Sequence, residues 1–281
     1  LPILTYARYQ AIAYLKPEAA QGLYDNAELI SRSLAGIRKN GLVKRLESSF
    51  YAFQVSLDNF CQANQNMIDM FERDKIFIAP DLDINMLLES GLSDEEIEEK
   101  LNAKAEDNPK NAVFAAVDFK PEFIEMLHND QNTLEKLRAA WADITDEDDS
   151  KFAKFEELLK HEFFKTERNP EQKLVVFSES VDTVEYLARR INRKDVLVIS
   201  ADNRSKQFKT IRENFDANYK VKMNDYNIIL TTDVLAEGVN LHRANVIVNY
   251  DTPWNSTRLM QRIGRVNRIG SASKHIYNYV F

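Results

Sequence analysis

The sequence predicts an α/β protein, a parallel sheet with crossover helices in its C-terminal part, preceded by an all-helical region. After Asn169-Pro170, short apolar and β-branched runs alternate with helical stretches, the pattern of strand–helix–strand units. Before that point apolar residues recur at spacings of three and four, with few β-branched runs. Charge divides at the same place. Glu171–Phe281 carries 17 Lys+Arg against 12 Asp+Glu, so the overall charge of −7 combines a balance of +5 there with −12 over residues 1–170. Parts of opposite charge point to different jobs, and the boundary is read at 170/171.

In the second part the expected strands are Leu174–Phe177, Val196–Ile199, Asn227–Thr231, Val246–Tyr250 and His275–Val280. Helices are expected near Val181–Asn192, Ser205–Phe215 and Thr257–Ile263. Strands this apolar are buried on both faces, and such sheets hold ligands at the carboxyl ends of their strands. In the first part Gly41–Asp74 reads as one long helix with Leu42, Leu46, Phe50, Phe53, Leu57 and Phe60 along one stripe. Ser93, followed by Asp94, Glu95 and Glu96, opens a helix through about Ala105. Pro121 opens another, through Phe123, Leu127, Leu134, Leu137 and Trp141. The acids Asp146–Asp149 then read as a solvated linker before a helix with Phe152, Phe155, Leu158 and Leu159. A helical stripe of this kind is usually core, so it does not separate a structural region from a protein-docking one.

Composition narrows the function classes. The single cysteine, Cys61, forms no intrachain disulfide, and four scattered histidines assemble no zinc-ligand spacing, so no metal site is expected and a reducing cytoplasm is. His161-Glu162-Phe163-Phe164-Lys165 lacks the second histidine of a zinc protease and reads as helix surface. No apolar run approaches the roughly 20 residues that span a bilayer, and the N-terminus has no leader pattern, so no membrane role is expected.

Two segments carry candidate chemistry. Thr231-Thr232-Asp233-Val234-Leu235-Ala236-Glu237-Gly238-Val239-Asn240-Leu241 follows the third strand. Its threonines offer hydroxyls and backbone N–H groups to a phosphate, Gly238 admits close backbone approach, and Asn240 suits a sugar hydroxyl. Alone, such a segment is more often a strand end with a helix N-cap. The second segment is Gln261-Arg262-Ile263-Gly264-Arg265-Val266-Asn267-Arg268-Ile269-Gly270. Arg265 and Arg268 are three apart and share a face if helical. Guanidinium forks onto phosphate oxygens, which is what stabilises charge on a transferring γ-phosphoryl group. Trp254, beside Pro253, offers either a stacking face for a base or packing at an interface.

Together these segments resemble motifs V and VI of superfamily-two helicases, and Lys173-Leu174-Val175-Val176-Phe177-Ser178-Glu179 resembles their motif IV. Asn249–Arg258 is similar to the Snf-type branch, particularly bacterial relatives such as the RNA-polymerase-associated translocase and helicases fused to phospholipase-D-like nucleases. Residues 41–57, with Lys44-Arg45-Leu46-Glu47-Ser48-Ser49 and Ala52-Phe53, are similar to the helical segment those proteins place between two lobes.

The resemblance implies a RecA-like second lobe of an ATP-dependent motor on nucleic acid, with double-stranded DNA as partner. An RNA helicase lobe, or a helical docking or regulatory module on a degenerate lobe, are the alternatives. It implies ATP with Mg²⁺, held mainly by the first lobe, with Arg265 and Arg268 as arginine fingers. Gly238 and Asn240 would line the nucleotide, with Asn240 near the ribose where many helicases have Asp. Asp233, Glu237 and Gln261 would couple nucleotide to lobe movement. Ser178, Thr231 and Thr232 would contact the phosphate backbone, as would Lys206 and Lys209, although the residue order around that pair departs from the family's. The seven glycines never take the spacing of a phosphate-cradling loop. The chain is therefore expected to lack the first lobe, to be inactive alone and to be part of a longer protein.

Overall fold

Alternation of buried side chains through each strand, rather than loop length, organises the sheet. The computed structural model describes residues 4–20, 41–78, 112–253 and 255–281, so the expected Ser93–Ala105 helix and Trp254 lie outside the described residues. The elements, in chain order, are helices α1 (Pro17–Ala20), α2 (residues 41–48) and α3 (Phe50–Glu72) and strands β1 (Ile76–Ile78) and β2 (Ala112–Phe114). Then come α4 (Glu122–Ala140), α5 (Ser150–His161), β3 (Leu174–Phe177), α6 (Val181–Ile191), β4 (Val196–Ile199), α7 (Arg204–Phe215), β5 (Ile228–Thr231), β6 (Val246–Asn249), α8 (Ser256–Val266) and β7 (Tyr277–Val280). Short 3-10 helices occupy Ala7–Tyr14, Ala116–Asp118, Asp146–Asp148 and Asp233–Leu235.

Contacts divide the chain into one unit of Leu1–Val43 with Gln54–Asp143 and a second of Lys44–Phe53 with Ile144–Phe281. In the first, α3 and α4 enclose a core that includes Met67, Ile68, Phe119, Phe123 and Leu127. Asp130, buried on α4, accepts from the backbone N–H groups of Thr5 and Ala7 at 2.7 Å each and so ties down the N-terminal segment. This unit is not all-helical. β1 and β2 pair antiparallel, Ile76 opposite Phe114 and Ile78 opposite Ala112. Three-residue strands are too short to show a period of two. The expected continuous helix over Gly41–Asp74 is also broken, at Ser49, whose hydroxyl accepts from the Ala52 N–H at 3.1 Å and caps the start of α3.

The second unit holds a five-stranded sheet in the order β4-β5-β3-β6-β7, all neighbours parallel. Leu174, Val176, Ile228, Leu230, Val246 and Val248 point to one face, covered by Phe152, Phe155 and Leu159 of α5 and Tyr186 and Leu187 of α6. Val175, Phe177, Leu197, Ile229 and Ile247 point to the other, covered by Ile211 and Phe215 of α7 and Val266 of α8. Burial of each large apolar side chain stabilises by about 1.5–3 kcal/mol. The parallel sheet with helices on both faces is the expected α/β architecture.

The change of pattern at Asn169-Pro170 lies inside this second unit, because α5 packs on the sheet. Asp146–Asp149 is likewise no solvated linker. Asp146 pairs with Arg189 of α6 at 3.0 Å, and the buried Asp149 caps α5 by accepting from the Phe152 N–H at 3.0 Å. Among the described residues no helix is long and apolar enough to cross a membrane.

Candidate functional site

Three adjacent strands, β5, β3 and β6, end side by side and deliver Thr232-Asp233, Ser178-Glu179 and Asp251 to one edge. Helix α8 supplies that edge with cations. Its start is held by Asn255, whose side-chain oxygen accepts from the Thr257 N–H at 2.9 Å. Arg258 and Arg262 are one turn apart on it. Arg262 is fully buried: its Nε donates to Asp233 at 2.6 Å, and its Nη1 donates at 3.2 Å to both the Asn249 side chain and the Asp251 carbonyl. Its guanidinium also lies 5.4 Å from the Phe177 ring centre. Arg258, 54% exposed, reaches Asp233 at 3.3 Å and Glu179 at 3.6 Å.

Another set of α8 side chains meets the segment after β5. Gln261 donates to Glu237 at 3.4 Å, and Arg265 donates to the Val239 carbonyl at 3.5 Å. Arg268, exposed, donates to the Gly264 carbonyl at 3.1 Å and to the side-chain oxygen of Asn240, whose amide donates to Asp216 at 3.5 Å. Helix α8 ends at Val266, so Arg265 and Arg268 converge on residues 239 and 240 without sharing a helical face. Neither forms an ion pair among the described residues, and the Arg265 Nε is buried without a partner. Burial, and next the charge of Arg268, push the Arg265 guanidinium below its ordinary pKa, with Glu237 opposing. Gly238 has a φ of 76°, and a Cβ there would meet Arg204 Nη2 at 2.5 Å; that nitrogen donates to the Glu237 carbonyl at 2.8 Å. The positive φ is what favours glycine at 238, since the Arg204 guanidinium ends a flexible side chain that can move aside.

Asp233, Glu237, Gly238, Asn240, Gln261, Arg265 and Arg268 thus gather at the carboxyl edge. Ser178 and Thr231, expected to contact phosphates, do not offer their hydroxyls. Both residues are fully buried, Ser178 donating to Asp251 at 2.5 Å and Thr231 to the Ile199 and Thr232 carbonyls at 3.1 Å. Thr232 is half-buried, and Lys206 and Lys209 are exposed on α7, with Lys209 3.6 Å from Glu213. A Cβ at Gly264 meets open space, so close packing within the chain does not explain that glycine. Sequence reasoning missed Arg262, Arg258, Asp251 and Arg204. The spacing of Arg258, Arg262 and Val266 by four was the available sign of a shared helix face.

Residues 150–270 match the family model described as the helicase conserved C-terminal domain. A 52-residue stretch is 48% identical to the uncharacterized ATP-dependent helicase YqhH of Bacillus subtilis, covering 18% of this chain and 9% of that protein. Over 105 residues the chain is 33% identical to the ATP-dependent RNA helicase ROK1 of Meyerozyma guilliermondii, covering 37% of this chain and 18% of the relative. The matches therefore span less than a fifth of the length of either relative. The solved C-terminal part of the Fun30 ATPase domain overlaps 79% of this chain and 67% of its own at 17% identity and a TM-score of 0.37, too low to support an argument.

Proposed function

We propose that this chain supplies the second lobe of an ATP-driven nucleic-acid motor whose polymer is DNA. The observation that carries the proposal is Arg265 and Arg268 meeting at residues 239 and 240 without a carboxylate partner among the described residues. Neighbouring like charges disfavour one another, and a polyphosphate presented from a facing lobe relieves that repulsion while accepting forked bonds. The donors suit ATP: guanidinium groups for phosphate, the Asn240 amide for a ribose hydroxyl. Among the described residues no three His, Cys, Asp or Glu are grouped to hold a metal ion, and in this reading Mg²⁺ is bound by the facing lobe. Asp233, Glu237 and Gln261 link the nucleotide edge to α8. Because that lobe also supplies the phosphate-cradling loop, the chain alone is expected to show no ATP turnover. Hydrolysis by the purified chain would overturn this division of labour.

Thr232, Lys206 and Lys209 are the proposed backbone contacts, gripping phosphates without reading sequence. The likeness of Asn249–Arg258 to Snf-type proteins supports DNA, and relatives named as RNA helicases support RNA as the second reading. Competition between matched DNA and RNA duplexes decides between them, with DNA expected to win. Affinity should fall steeply with salt, and a Lys206→Ala/Lys209→Ala variant should flatten the log–log slope by about 2. RNA winning replaces the DNA reading, and failure to bind either removes the motor reading.

A further inference from the structure

We infer that Lys44 and Ser48 are positioning residues for the Asp233–Arg262 pair, acting through Glu179 and Asp251. The effect on ATP turnover rests on the motor reading above; the positioning itself does not.

A closed circuit of polar contacts joins the strand ends. Arg262 bonds Asp233 and the Asp251 carbonyl, Arg258 bridges Asp233 to Glu179, and the Glu179 N–H donates to Asp251 Oδ1 at 2.7 Å. Three carboxylates here face two guanidinium groups. The Lys44 ammonium, 3.1 Å from Glu179 Oε2, adds a third cation from 135 positions away in the chain. Ser48 enters at the second point. Its hydroxyl donates to Asp251 Oδ2 at 2.6 Å, beside the Ser178 hydroxyl at 2.5 Å on the same oxygen. Asp251 is only 7% exposed, so its carboxylate depends on these donors.

The segment's own seat is specific. The Ser48 hydroxyl also lies 2.7 Å from that of Thr183, at the start of α6. Lys151 of α5 donates to the carbonyls of Glu47 and Ser48 at 2.7 and 3.1 Å, closing the end of α2, where a cation is favoured. Lys44–Phe53 clusters with the sheet, while the residues on either side of it in sequence cluster with the other unit. A displacement of this segment therefore removes a donor from Asp251 and a cation from Glu179 together. Asp251 is then free to shift, carrying the carbonyl that holds Arg262, and Glu179 draws Arg258 away from Asp233.

The test is hydrogen exchange of the Arg262 Nε–H, followed by NMR in the 281-residue chain. Ser48→Ala should speed it about tenfold and Lys44→Met several-fold, as expected for loss of hydrogen bonds to charged groups. Ser48→Thr, which keeps the hydroxyl, should restore the slow rate, and Lys154→Met, on an exposed pair with Glu157, should leave it unchanged. Lys44 is half-exposed, so Lys44→Met carries the test if Ser48→Ala does not fold. An unchanged Arg262 rate in the folded variants, with only the Glu179 amide shifted, overturns the inference. In a protein where the chain faces a nucleotide-holding lobe, Ser48→Ala should lower kcat with KM for ATP unchanged. Faster exchange without any nucleic-acid-stimulated hydrolysis in that unaltered protein would leave positioning intact and discard the motor reading.

Discussion

Arg268→Ala is expected to cut nucleic-acid-stimulated ATP hydrolysis by about 10³–10⁵-fold in a protein where this chain faces a nucleotide-holding lobe, with nucleic-acid affinity nearly unchanged. Arg268 is exposed, lies beyond the end of α8, and among the described residues bonds only the Gly264 carbonyl and the Asn240 side chain. Its removal therefore costs the fold little, and a loss of rate reports the lost guanidinium. Arg268→Lys should recover only part of the rate, because an ammonium carries the charge without the fork. Steady-state ATPase assays with and without DNA measure this. Full hydrolysis in Arg268→Ala would contradict the finger role.

The second large effect is on stability. Arg262→Ala is expected to lower unfolding free energy by about 3 kcal/mol, because the buried Asn249 oxygen and Asp251 carbonyl lose a charged donor, while Asp233 keeps Arg258. Asp233 loses a 2.6 Å bond, and the buried Asn249 side chain and Asp251 carbonyl lose theirs. Against a typical total of about 5–15 kcal/mol, a loss of that size is a large share of a domain's stability. Arg262→Lys should fall between, since one ammonium does not span all three acceptors. Urea unfolding followed by circular dichroism should show a lower midpoint at unchanged slope. A midpoint equal to that of the unaltered chain would mean the guanidinium does not hold the strand ends together.

The two cases show where sequence reading was strong and where it failed. β3 and β4 begin and end where their apolar runs do, and β5, β6 and β7 differ by one or two residues at an end. Burial on both faces leaves a continuous apolar run, so local composition suffices. β1 and β2 went unseen because each is three residues long and its partner is remote. Ser178 and Thr231 looked like ligands because a hydroxyl at a strand end is chemically able to bind phosphate. Their donors are taken by acceptors on neighbouring strands, which no local pattern records.

The sequence by itself determined the α/β class, the order of the parallel-sheet strands along the chain and the two segments that carry the cationic and glycine-bearing chemistry. Only the tertiary structure separated Arg262, buried and bonded to Asp233, from Arg265 and Arg268, which have no carboxylate partner among the described residues. It also placed Lys44 and Ser48 beside the strand ends. The reason is physical: side chains of identical chemistry differ in role through the number of acceptors the fold brings within about 3 Å. Those acceptors come from strands adjacent in space and far apart in the chain.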